Sequence, residues 1–535
     1  MKKILYITIA AIVIVQLNSC SKDYLQRPPL GIQDANDFYS SPGGGFKAVT
    51  NCYLGFYQFW NYQAALAELG NMATDDCDKG GSDAGDRPFI TDLGDGRALS
   101  SNTTLSGFWT GCYQAIGNCN DALDHMVNAK LLDNNGNPLD AGTQKHYIAE
   151  IRFLRAFFYF KLVEVFGGVP LVTQTPSVAD RNNLKRASAD SVFNFIVNEW
   201  TSIIPDLPTK AELPSNELGR VTQEAVWAML ARTYLFFARE NNALYAKARD
   251  AAKEVINSGV FALDPNYQDL WLPNGYQSSE PVFEVIFGDN PGAFIYGSDI
   301  PIYCSPRSTG GWGFDCPTQN LVNAYEKGDP RELFTILNNG DIFPAANGGQ
   351  EVLDFSVSPN TGYYNRKVFL TASQRGPYGW GNNQWTLYVV RYSDVLLMYA
   401  EALLNSGGSH QEVADYINMV RSRASNSSRT DAVAVKRNTV IPDIPLTPVK
   451  PTDDLMAAIQ HERRVEFGGE YHRLFDLIRW GTYVSVMQQF STEPYANGKG
   501  ASFTNSHEVD GRYVFPIPQT EIDLSNGSIT QNPGY

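Results

Sequence analysis

The sequence predicts a mostly α-helical protein, an α–α superhelix of tetratricopeptide-like helix hairpins with long loop-rich insertions and a few short β-strands. Apolar residues recur at spacings of three and four over several long segments, which is the period of an amphipathic helix. Residues 231–256 and 400–424 each have the pattern of helix, short turn and helix, with small residues where the two helices would touch. Hairpins of this kind stack on one another to bury their apolar faces.

Composition excludes some classes of protein. The chain has 535 residues, of which 43% are hydrophobic, and 42 Lys and Arg against 57 Asp and Glu, a net charge of −15. Disorder would require low hydrophobicity together with high net charge. The acidic excess argues against nucleic-acid binding, because phosphate neutralisation requires clustered Lys and Arg. Aromatic residues make up 12% of the chain, and they can either fill a core or present flat apolar faces to a ligand.

The N-terminus has the pattern of a secretory signal. Lys2 and Lys3 precede an apolar run from Ile4 to Val15, whose twelve residues fall short of the roughly 20 that span a bilayer. The run ends in Leu17-Asn18-Ser19-Cys20, which is similar to the cleavage box of a bacterial lipoprotein, where the cysteine is acylated and becomes the new N-terminus. The alternative is an ordinary signal peptide cut near Ser19, with Cys20 incidental.

We therefore expect three segments. Residues 1–19 would be the signal peptide, residues 20–45 a tether lipidated at Cys20, and residues 46–535 the helical domain. Acyl chains on Cys20 would hold the folded body at a membrane surface while leaving it in water.

The helices of the scaffold follow in order. One is predicted from His146 to Phe166, ended by Gly167-Gly168. A second opens at Val221-Thr222, and a third runs from about Tyr245 to Asn257. The hairpin then recurs, because the apolar run from Val395 to Leu404 is followed by a Gly-containing turn and another helical pattern.

The last long helix, Asp453 to Phe467, has a dense charged face that continues past its end. Three acids alternate with three arginines there: Glu462, Glu466, Glu470, Arg463, Arg464 and Arg473. Paired carboxylates can act as glycosidase catalysts. Interleaved acids and guanidinium groups within about one turn of each other favour ion pairs that lock the helix to its neighbours.

Long segments rich in Gly, Asn, Pro and aromatic residues separate the helices, at about residues 71–106, 263–318 and 338–384. Loops of this length usually carry function or are disordered, and these are too aromatic to be disordered. Short β-like runs occur inside them, such as Val282 to Phe287. We expect these insertions to carry the ligand-binding site.

The nine tryptophans divide by position. Four lie on helical stripes or in helix motifs, where core packing is expected: Trp109, Trp200, Trp227 and Trp480. Five lie at helix ends or in loops that a ligand could reach: Trp60, Trp271, Trp312, Trp380 and Trp385. An indole can bury the apolar C–H face of a sugar ring while Asp, Asn and Arg hydrogen-bond its hydroxyls. The alternative is that each loop tryptophan packs beneath its own loop.

Five carboxylates stand in one Gly-rich loop: Asp75, Asp76, Asp78, Asp83 and Asp86. Calcium can use such oxygens, but the ligand pattern of an EF-hand is absent, which favours solvated acids or acceptors of ligand hydroxyls. Val465 stands where a His461-Glu462 zinc-protease motif needs its second His, and no CxxC or Cys/His spacing predicts zinc. We expect no metal and no cofactor.

Six cysteines follow Cys20. Cys112 and Cys119 lie on one predicted helix, roughly 10 Å apart by the helical rise, which is too far for a disulfide. Cys304 and Cys316 flank a Gly-rich loop and are the favoured pair if a disulfide forms.

Several stretches resemble the SusD/RagB family of outer-membrane proteins, in the same order along the chain. They are Phe108-Trp109 to Asn120-Asp121, Ala149 to Ala156 with Val165 to Pro170, Arg391 to Leu403, His461 to Trp480, Phe515 to Pro518 and Gln531 to Tyr535. Gly167-Gly168 departs from the family, which often has Gly-Asp there.

The resemblance implies a fold of tetratricopeptide-like hairpins, tethered by lipid at the outer face of a Gram-negative outer membrane. Family members sit as a lid on a SusC-like TonB-dependent transporter, capture oligosaccharides, or peptides in the RagB branch, and help to pass them to the pore. They are binding proteins and not enzymes.

We therefore expect a glycan-binding surface lipoprotein that delivers its ligand to such a transporter. The expected ligand-binding residues are Trp60, Asp75, Asp76, Arg87, Trp271, Tyr296, Trp312, Trp380 and Trp385. Tyr296 and Trp312, with Asp76 and Arg87, are the first choices, because the family assembles its site from loops in about these two regions. The alternatives are a RagB-like peptide receptor and a structural lid with little ligand affinity of its own.

Overall fold

The computed structural model describes residues 35–177, 180–288, 297–356, 361–375 and 383–535. The expected signal peptide and Cys20 lie outside these residues, as do Tyr296 and Trp380. Within the described ranges, no helix combines the length and the apolar character needed to cross a membrane.

The described residues form 18 α-helices and ten short strands. The helices are α1 Ala35–Tyr39, α2 Gly44–Tyr53, α3 Ala64–Ala67, α4 Pro88–Asp95, α5 Thr103–Met126, α6 Ala141–Phe166, α7 Ala189–Ile203, α8 Gln223–Phe237, α9 Ala243–Ser258, α10 Ile300–Cys304, α11 Gln319–Ala324, α12 Arg331–Thr335, α13 Tyr392–Asn405, α14 His410–Asn426, α15 Leu455–Phe467, α16 Arg473–Trp480, α17 Tyr483–Phe490 and α18 Gln519–Leu524. The strands are β1 Cys77–Gly80, β2 Pro281–Phe287, β3 Phe314–Pro317, β4 Ile336–Asn338, β5 Ile342–Pro344, β6 Gln350–Val352, β7 Tyr363–Asn365, β8 Trp385–Arg391, β9 Glu508–Val509 and β10 Arg512–Tyr513.

The long helices pack on one another as stacked hairpins. α5 packs on α6, α6 on α7, α8 on α9, α9 on α13, and α13 on α14. Both predicted hairpins are therefore confirmed, as α8 with α9 and α13 with α14. Ala248 and Ala252 of α9, and Ala400 and Ala402 of α13, are fully buried, since small side chains let neighbouring helices approach closely.

Side-chain caps set where these helices begin. Asp140 accepts a hydrogen bond from the Thr143 N–H, so α6 starts at Ala141 and not at His146, where the apolar pattern begins. Thr222 caps α8 in the same way. Gly167, with a φ of +69°, ends α6 as predicted.

The start of the chain's described part packs on this scaffold. Residues 35–45 fall within the expected tether, yet Tyr39 is buried and its hydroxyl donates to Asp121 at 2.8 Å. Among the four tryptophans expected in the core, Trp109 and Trp200 are buried, whereas Trp227 and Trp480 are half-buried.

A buried ion network joins α15 to three other elements. Glu466 of α15 is fully buried, and its carboxylate pairs with Arg331 of α12 at 3.0 Å, Arg391 of β8 at 2.9 Å and Arg423 of α14 at 2.5 Å. Burial alone would raise the pKa of Glu466, but the three guanidinium groups outweigh it and hold that pKa below its ordinary value. Arg391 and Arg423 also share Glu280, at the start of β2, which extends the network to a fourth segment.

The expectation that the charged face forms ion pairs locking this helix to its neighbours is confirmed. Glu462 pairs with Arg331 at 2.6 Å, and Glu470 pairs with Arg391 at 2.8 Å. Arg463 instead pairs with Asp394 of α13 at 2.7 Å. Glu462 and Glu466 lie four residues apart on one face of α15 and share Arg331, whereas Arg463 points to a different neighbour.

Strands of the described residues pair as five antiparallel two-stranded ribbons, including β2 with β8, which confirms the run from Val282 to Phe287. The β1–β3 ribbon joins two insertions, with Cys77 opposite Pro317 and Gly80 opposite Phe314. The Gly81 N–H extends it by donating to the Gly313 carbonyl oxygen at 2.7 Å. The loop that leaves β1 and the loop that enters β3 are therefore held together at one end of the ribbon.

All six cysteines of the described part are buried and unbonded. The favoured Cys304–Cys316 pairing is therefore wrong. The Cys316 thiol donates to the Gly313 carbonyl oxygen at 3.4 Å, and the Cys304 thiol hydrogen-bonds Asp315. Burial raises the pKa of both thiols, which keeps them protonated and unreactive.

Glu466→Ala should destabilise the protein severely, because it leaves three buried guanidinium groups short of one carboxylate. We expect the free energy of unfolding to fall by about 3–5 kcal/mol, measured by urea denaturation followed by circular dichroism. The control is Arg249→Ala, which breaks a solvent-exposed pair with Asp250 and should change stability by less than about 1 kcal/mol. Equal losses of unfolding free energy in the two variants would show that the buried network stabilises the protein no more than an exposed ion pair does.

Candidate functional site

Trp60 and Trp312, two of the expected binding residues, lie together at the surface. Their ring centroids are 5.6 Å apart and their planes differ by only 11°. Trp60 is 49% exposed and Trp312 is half-buried. The two indoles form a nearly parallel aromatic pair at the solvent boundary, called the aromatic platform below.

Glycines on both sides position Trp312. A Cβ added to Gly311 would lie 2.3 Å from the Ser305 carbonyl oxygen, and Gly313 has a φ of +81°. The Trp312 N–H donates to the Ile302 carbonyl oxygen at 2.8 Å. A side chain at either glycine would shift the loop, so the Gly311-Trp312-Gly313 sequence is what lets the backbone fold back here.

Trp60 is carried by a π-helical turn, Phe59–Gln63, which leads into α3. A second π-helical turn, Glu68–Met72, follows α3 directly. Such turns widen a helix locally and occur frequently at functional sites. Between them they supply Trp60 to the platform and Glu68 to the interior below it.

Two more aromatic rings pack against the platform. Tyr303 is fully buried and meets Trp60 and Trp312 edge-on, with centroid distances of 6.2 and 6.0 Å. Phe59 also meets both indoles edge-on, at 4.6 and 5.8 Å. Edge-to-face contacts favour one relative orientation of the rings, so the platform is supported from within.

Arg87, a third expected residue, lies over Trp60. Its Cζ is 4.4 Å from the Trp60 ring centroid and 4.7 Å from that of Phe89. Its Nη2 donates to the Glu68 carboxylate at 2.6 Å, whereas its buried Nε has no hydrogen-bond partner within the described residues. The guanidinium is therefore held beside the platform by one carboxylate, and its Nη1 forms no hydrogen bond with any described residue.

Glu68 ties these parts together and was missed in the sequence. Its carboxylate accepts hydrogen bonds from Arg87, Thr104 and Tyr303, the last at 2.6 Å. Burial raises the pKa of Glu68, and the Arg87 guanidinium opposes that rise. The signal that could have found it is a single acid inside the apolar run of residues 64–72, since a buried carboxylate needs partners.

Positive charges near the platform are already compensated. Arg307 pairs with Asp86 at 2.9 Å, and Arg87 pairs with Glu68. The Lys79 ammonium donates to the carbonyl oxygens of Asp83 and Asp86 at 2.8 and 2.5 Å. Within the described ranges, these three cations beside the platform therefore each have an oxygen acceptor.

Asp75 and Asp76, two further expected binding residues, lie outside the platform, and their contact with a ligand stays a prediction. They are 1% and 2% exposed. Asp75 accepts hydrogen bonds from Arg473 and Arg464, each at 2.9 Å, and Asp76 accepts one from Arg464 at 2.8 Å. The acids of this loop could not be assigned from spacing alone, because their partners come from the other end of the chain.

Trp271 and Trp385 line one small cavity, which neither Trp60 nor Trp312 lines. Its volume is about 20 Å³, room for a water molecule but not for a sugar ring. The Lys367 ammonium lies 4.7 Å from the Trp271 ring centroid, and Trp385 stacks on Phe287 at 5.7 Å. Ligand contact by Trp271 and Trp385 stays a prediction, because the cavity that they line is too small for a sugar ring.

Tyr296 and Trp380 fall outside the described residues, so their expected roles also stay predictions. In the described part of the chain, no group of three or more His, Cys, Asp or Glu residues is arranged to hold a metal ion.

Comparison with known families places the chain. The model of the SusD family matches residues 279–535, and a second model, described as starch-binding and associating with the outer membrane, matches residues 50–235. The chain belongs to the SusD family. Trp60 and Arg87 lie within residues 50–235 and Trp312 lies within residues 279–535, so the platform is assembled from both matched regions.

Relatives and solved structures agree over nearly the whole chain. The SusD-like protein P2 of Formosa agariphila is 26% identical over 98% of both chains. Surface glycan-binding protein A from Bacteroides fluxus is 25% identical with a TM-score of 0.72, covering 92% of this chain and 100% of that one. The same-named protein from Bacteroides thetaiotaomicron, solved in complex with laminarihexaose, is 23% identical with a TM-score of 0.69, covering 91% and 98%. The mostly α-helical SusD-like fold expected from the sequence is confirmed.

Glu68→Gln should release Arg87 from the face of Trp60, because the substitution keeps the size of the side chain and removes its charge. We expect acrylamide to quench the tryptophan fluorescence of the variant more efficiently than that of the wild type. The matched control is the same substitution in Trp60→Phe protein, in which the increase should disappear. An increase that persists without Trp60 would contradict this role of Glu68.

Proposed function

We propose that this SusD-family protein captures neutral oligosaccharides at the cell surface and binds them without transforming them. The observation that carries the proposal is the solvent-facing pair of nearly parallel indoles, Trp60 and Trp312, with Arg87 beside them. Indole faces bury the C–H face of a sugar ring, and guanidinium donors hydrogen-bond its hydroxyls. This combination suits a glycan better than a charged or purely apolar ligand.

The buried side chains beneath the platform favour tight binding of a ligand whose individual contacts are weak. Tyr303 and Phe59 hold the indoles edge-on, and Glu68 fixes Arg87 and Tyr303 together. A site whose side chains are already ordered loses less conformational entropy when ligand binds.

Charge compensation favours neutral over anionic glycans. Arg87, Arg307 and Lys79 already have oxygen partners, and Asp83 adds an exposed carboxylate in the same loop. Among the residues that the structure describes, a uronate or sulfate group would meet only cations that already have partners, and the loop acids would repel it. Affinity for the ligand should accordingly depend little on salt concentration.

The names of similar proteins point the same way. One matched model is described as starch-binding, and two similar structures are surface glycan-binding proteins, one of them in complex with laminarihexaose. Starch and laminarihexaose are named for those proteins and not for this one. Both are neutral glucose polymers, and this shared chemistry supports a neutral glycan as the ligand proposed here.

Binding rather than catalysis is supported by the state of the acids at the platform. A glycosidase needs two carboxyl groups that flank the scissile bond. Glu68 is fully buried and accepts three hydrogen bonds, and Asp86 is paired with Arg307. Neither acid is placed to serve a sugar lying on the indoles.

Trp60→Ala and Trp312→Ala should each lower glycan affinity by at least about tenfold, or about 1.4 kcal/mol, because each removes one stacking face. Isothermal titration calorimetry against a panel of neutral hexasaccharides, including laminarihexaose and maltohexaose, measures this. Phe46→Ala, which removes an aromatic ring that is 41% exposed and packs on Tyr147, is the control.

Two outcomes would sink the glycan proposal. One is a wild-type protein that binds no glycan of the panel, and the other is an affinity that neither tryptophan substitution changes. Binding of mixed peptides in place of glycans would favour the RagB-like alternative.

We further propose that a lipid on Cys20 anchors the protein in the outer membrane, where a SusC-like TonB-dependent transporter receives the ligand. The lipoprotein box and the outer-membrane description of the matched model support this. Wild-type protein should sediment with outer membranes and copurify with a transporter barrel in mild detergent. Cys20→Ser should be lost from the membrane fraction, while the Ser21→Ala control should stay. Recovery of Cys20→Ser in that fraction would refute the anchor.

A further inference from the structure

A second open cleft, of about 620 Å³, lies between α11, α15, α16 and α17. Ligand pockets typically have volumes of about 300–1,000 Å³, so it is large enough for sugar rings. None of the residues that form the aromatic platform lines it. We propose that this cleft is a second binding site for neutral oligosaccharides, an inference that rests on the glycan-binding function proposed above.

Five of the thirteen residues that line the cleft carry an amide or a guanidinium group. Asn320 and Asn323 come from α11, Gln460 and Arg464 from α15, and Arg473 from α16. Amides both donate and accept hydrogen bonds, which matches sugar hydroxyls, since each hydroxyl is also a donor and an acceptor. An apolar or singly charged ligand would leave most of these groups unpaired.

Buried acids hold the floor of the cleft in place. Asp75 and Asp76 fix Arg464, and Asp75 fixes Arg473, in each case through the Nε and Nη2 atoms of the arginine. Within the described part of the chain, Nη1 of both arginines forms no hydrogen bond and can donate to another acceptor. The Arg464 Nη2 also donates to the Asn320 side-chain oxygen at 3.2 Å. Burial would raise the pKa of Asp75, but the two arginines outweigh it and keep it ionised. Asp75 and Asp76 thus position this cleft, although they do not contact the platform.

An indole borders the same space. Trp480 is half-buried, lines the cleft, and donates its Nε1–H to Glu401 at 3.1 Å. Arg479 lies over its ring at 4.7 Å. The ring is therefore fixed before a ligand arrives, and it supplies the apolar surface that the amides and guanidinium groups lack.

The charges of the cleft balance. Arg464 and Arg473 face Asp75 and Asp76, and Glu326 pairs with Arg421 at 2.6 Å. This balance argues against a phosphate or carboxylate ligand and for one that offers hydroxyls. A chain long enough to reach both the platform and the cleft would be held at two points, which raises its overall affinity without new contacts.

The test is the stoichiometry of hexasaccharide binding to the full mature chain, by calorimetry and native mass spectrometry. We expect two equivalents of laminarihexaose or maltohexaose per wild-type chain, and one per Trp60→Ala/Trp312→Ala chain. Adding Asn323→Ala/Gln460→Ala should weaken the remaining event at least tenfold. Asn118→Ala/Gln411→Ala, two surface amides outside the cleft, is the matched control and should leave that event unchanged.

Failure of this inference differs from failure of the proposed function. If the wild type binds one equivalent that Trp60→Ala/Trp312→Ala abolishes, glycan binding stands and the second site is refuted. The second site is also refuted if Asn323→Ala/Gln460→Ala leaves hexasaccharide binding by the Trp60→Ala/Trp312→Ala chain intact, or if the control substitutions weaken that binding equally. If no hexasaccharide binds at all, the proposed function itself fails.

Discussion

Three guanidinium groups meet one buried carboxylate at Glu466, and each comes from a different part of the chain. Apolar packing brings α12, β8 and α14 near α15, and Glu466 compensates the three arginines that they bury there, because a buried cation without a partner is costly. Once they converge, α15 is fixed against the hairpin scaffold, and with it the start of β2 through Glu280. The position of the insertions relative to the helices follows from this one cluster of ion pairs.

The platform repeats the same principle on a smaller scale. Glu68 is a single buried acid whose donors, Arg87, Thr104 and Tyr303, come from three separate segments. Loops rich in glycine have many alternative conformations, and a shared buried acceptor removes most of them. The rigidity of the exposed indoles therefore originates in the interior, at a residue that no ligand needs to touch.

The helices could be predicted from the sequence because their burial is a local pattern, whereas the site could be predicted only in part because it depends on contacts between distant segments. The stripes of α6, α8 and α13 report burial locally, so their periodicity suffices, although caps such as Asp140 moved the boundary. Trp60, Arg87 and Trp312 were each chosen for their loop context, but nothing local says that they converge. Spacing could not show that Asp75 and Asp76 pair with Arg464 and Arg473 from the other end of the chain. Nor could it show that Cys304 and Cys316 stay reduced and hydrogen-bond Asp315 and the Gly313 carbonyl oxygen.

The β1–β3 ribbon has a consequence for how such a protein can be re-engineered. Gly80 opposite Phe314 and the Gly81–Gly313 hydrogen bond bring the Arg87 loop and the Trp312 loop out of the same end of the ribbon. Exchanging either loop alone for one from a homologue would break the register that holds the other. The transplantable unit is therefore the pair of loops together with the ribbon, and grafts of that whole unit are the ones that should transfer ligand preference between scaffolds.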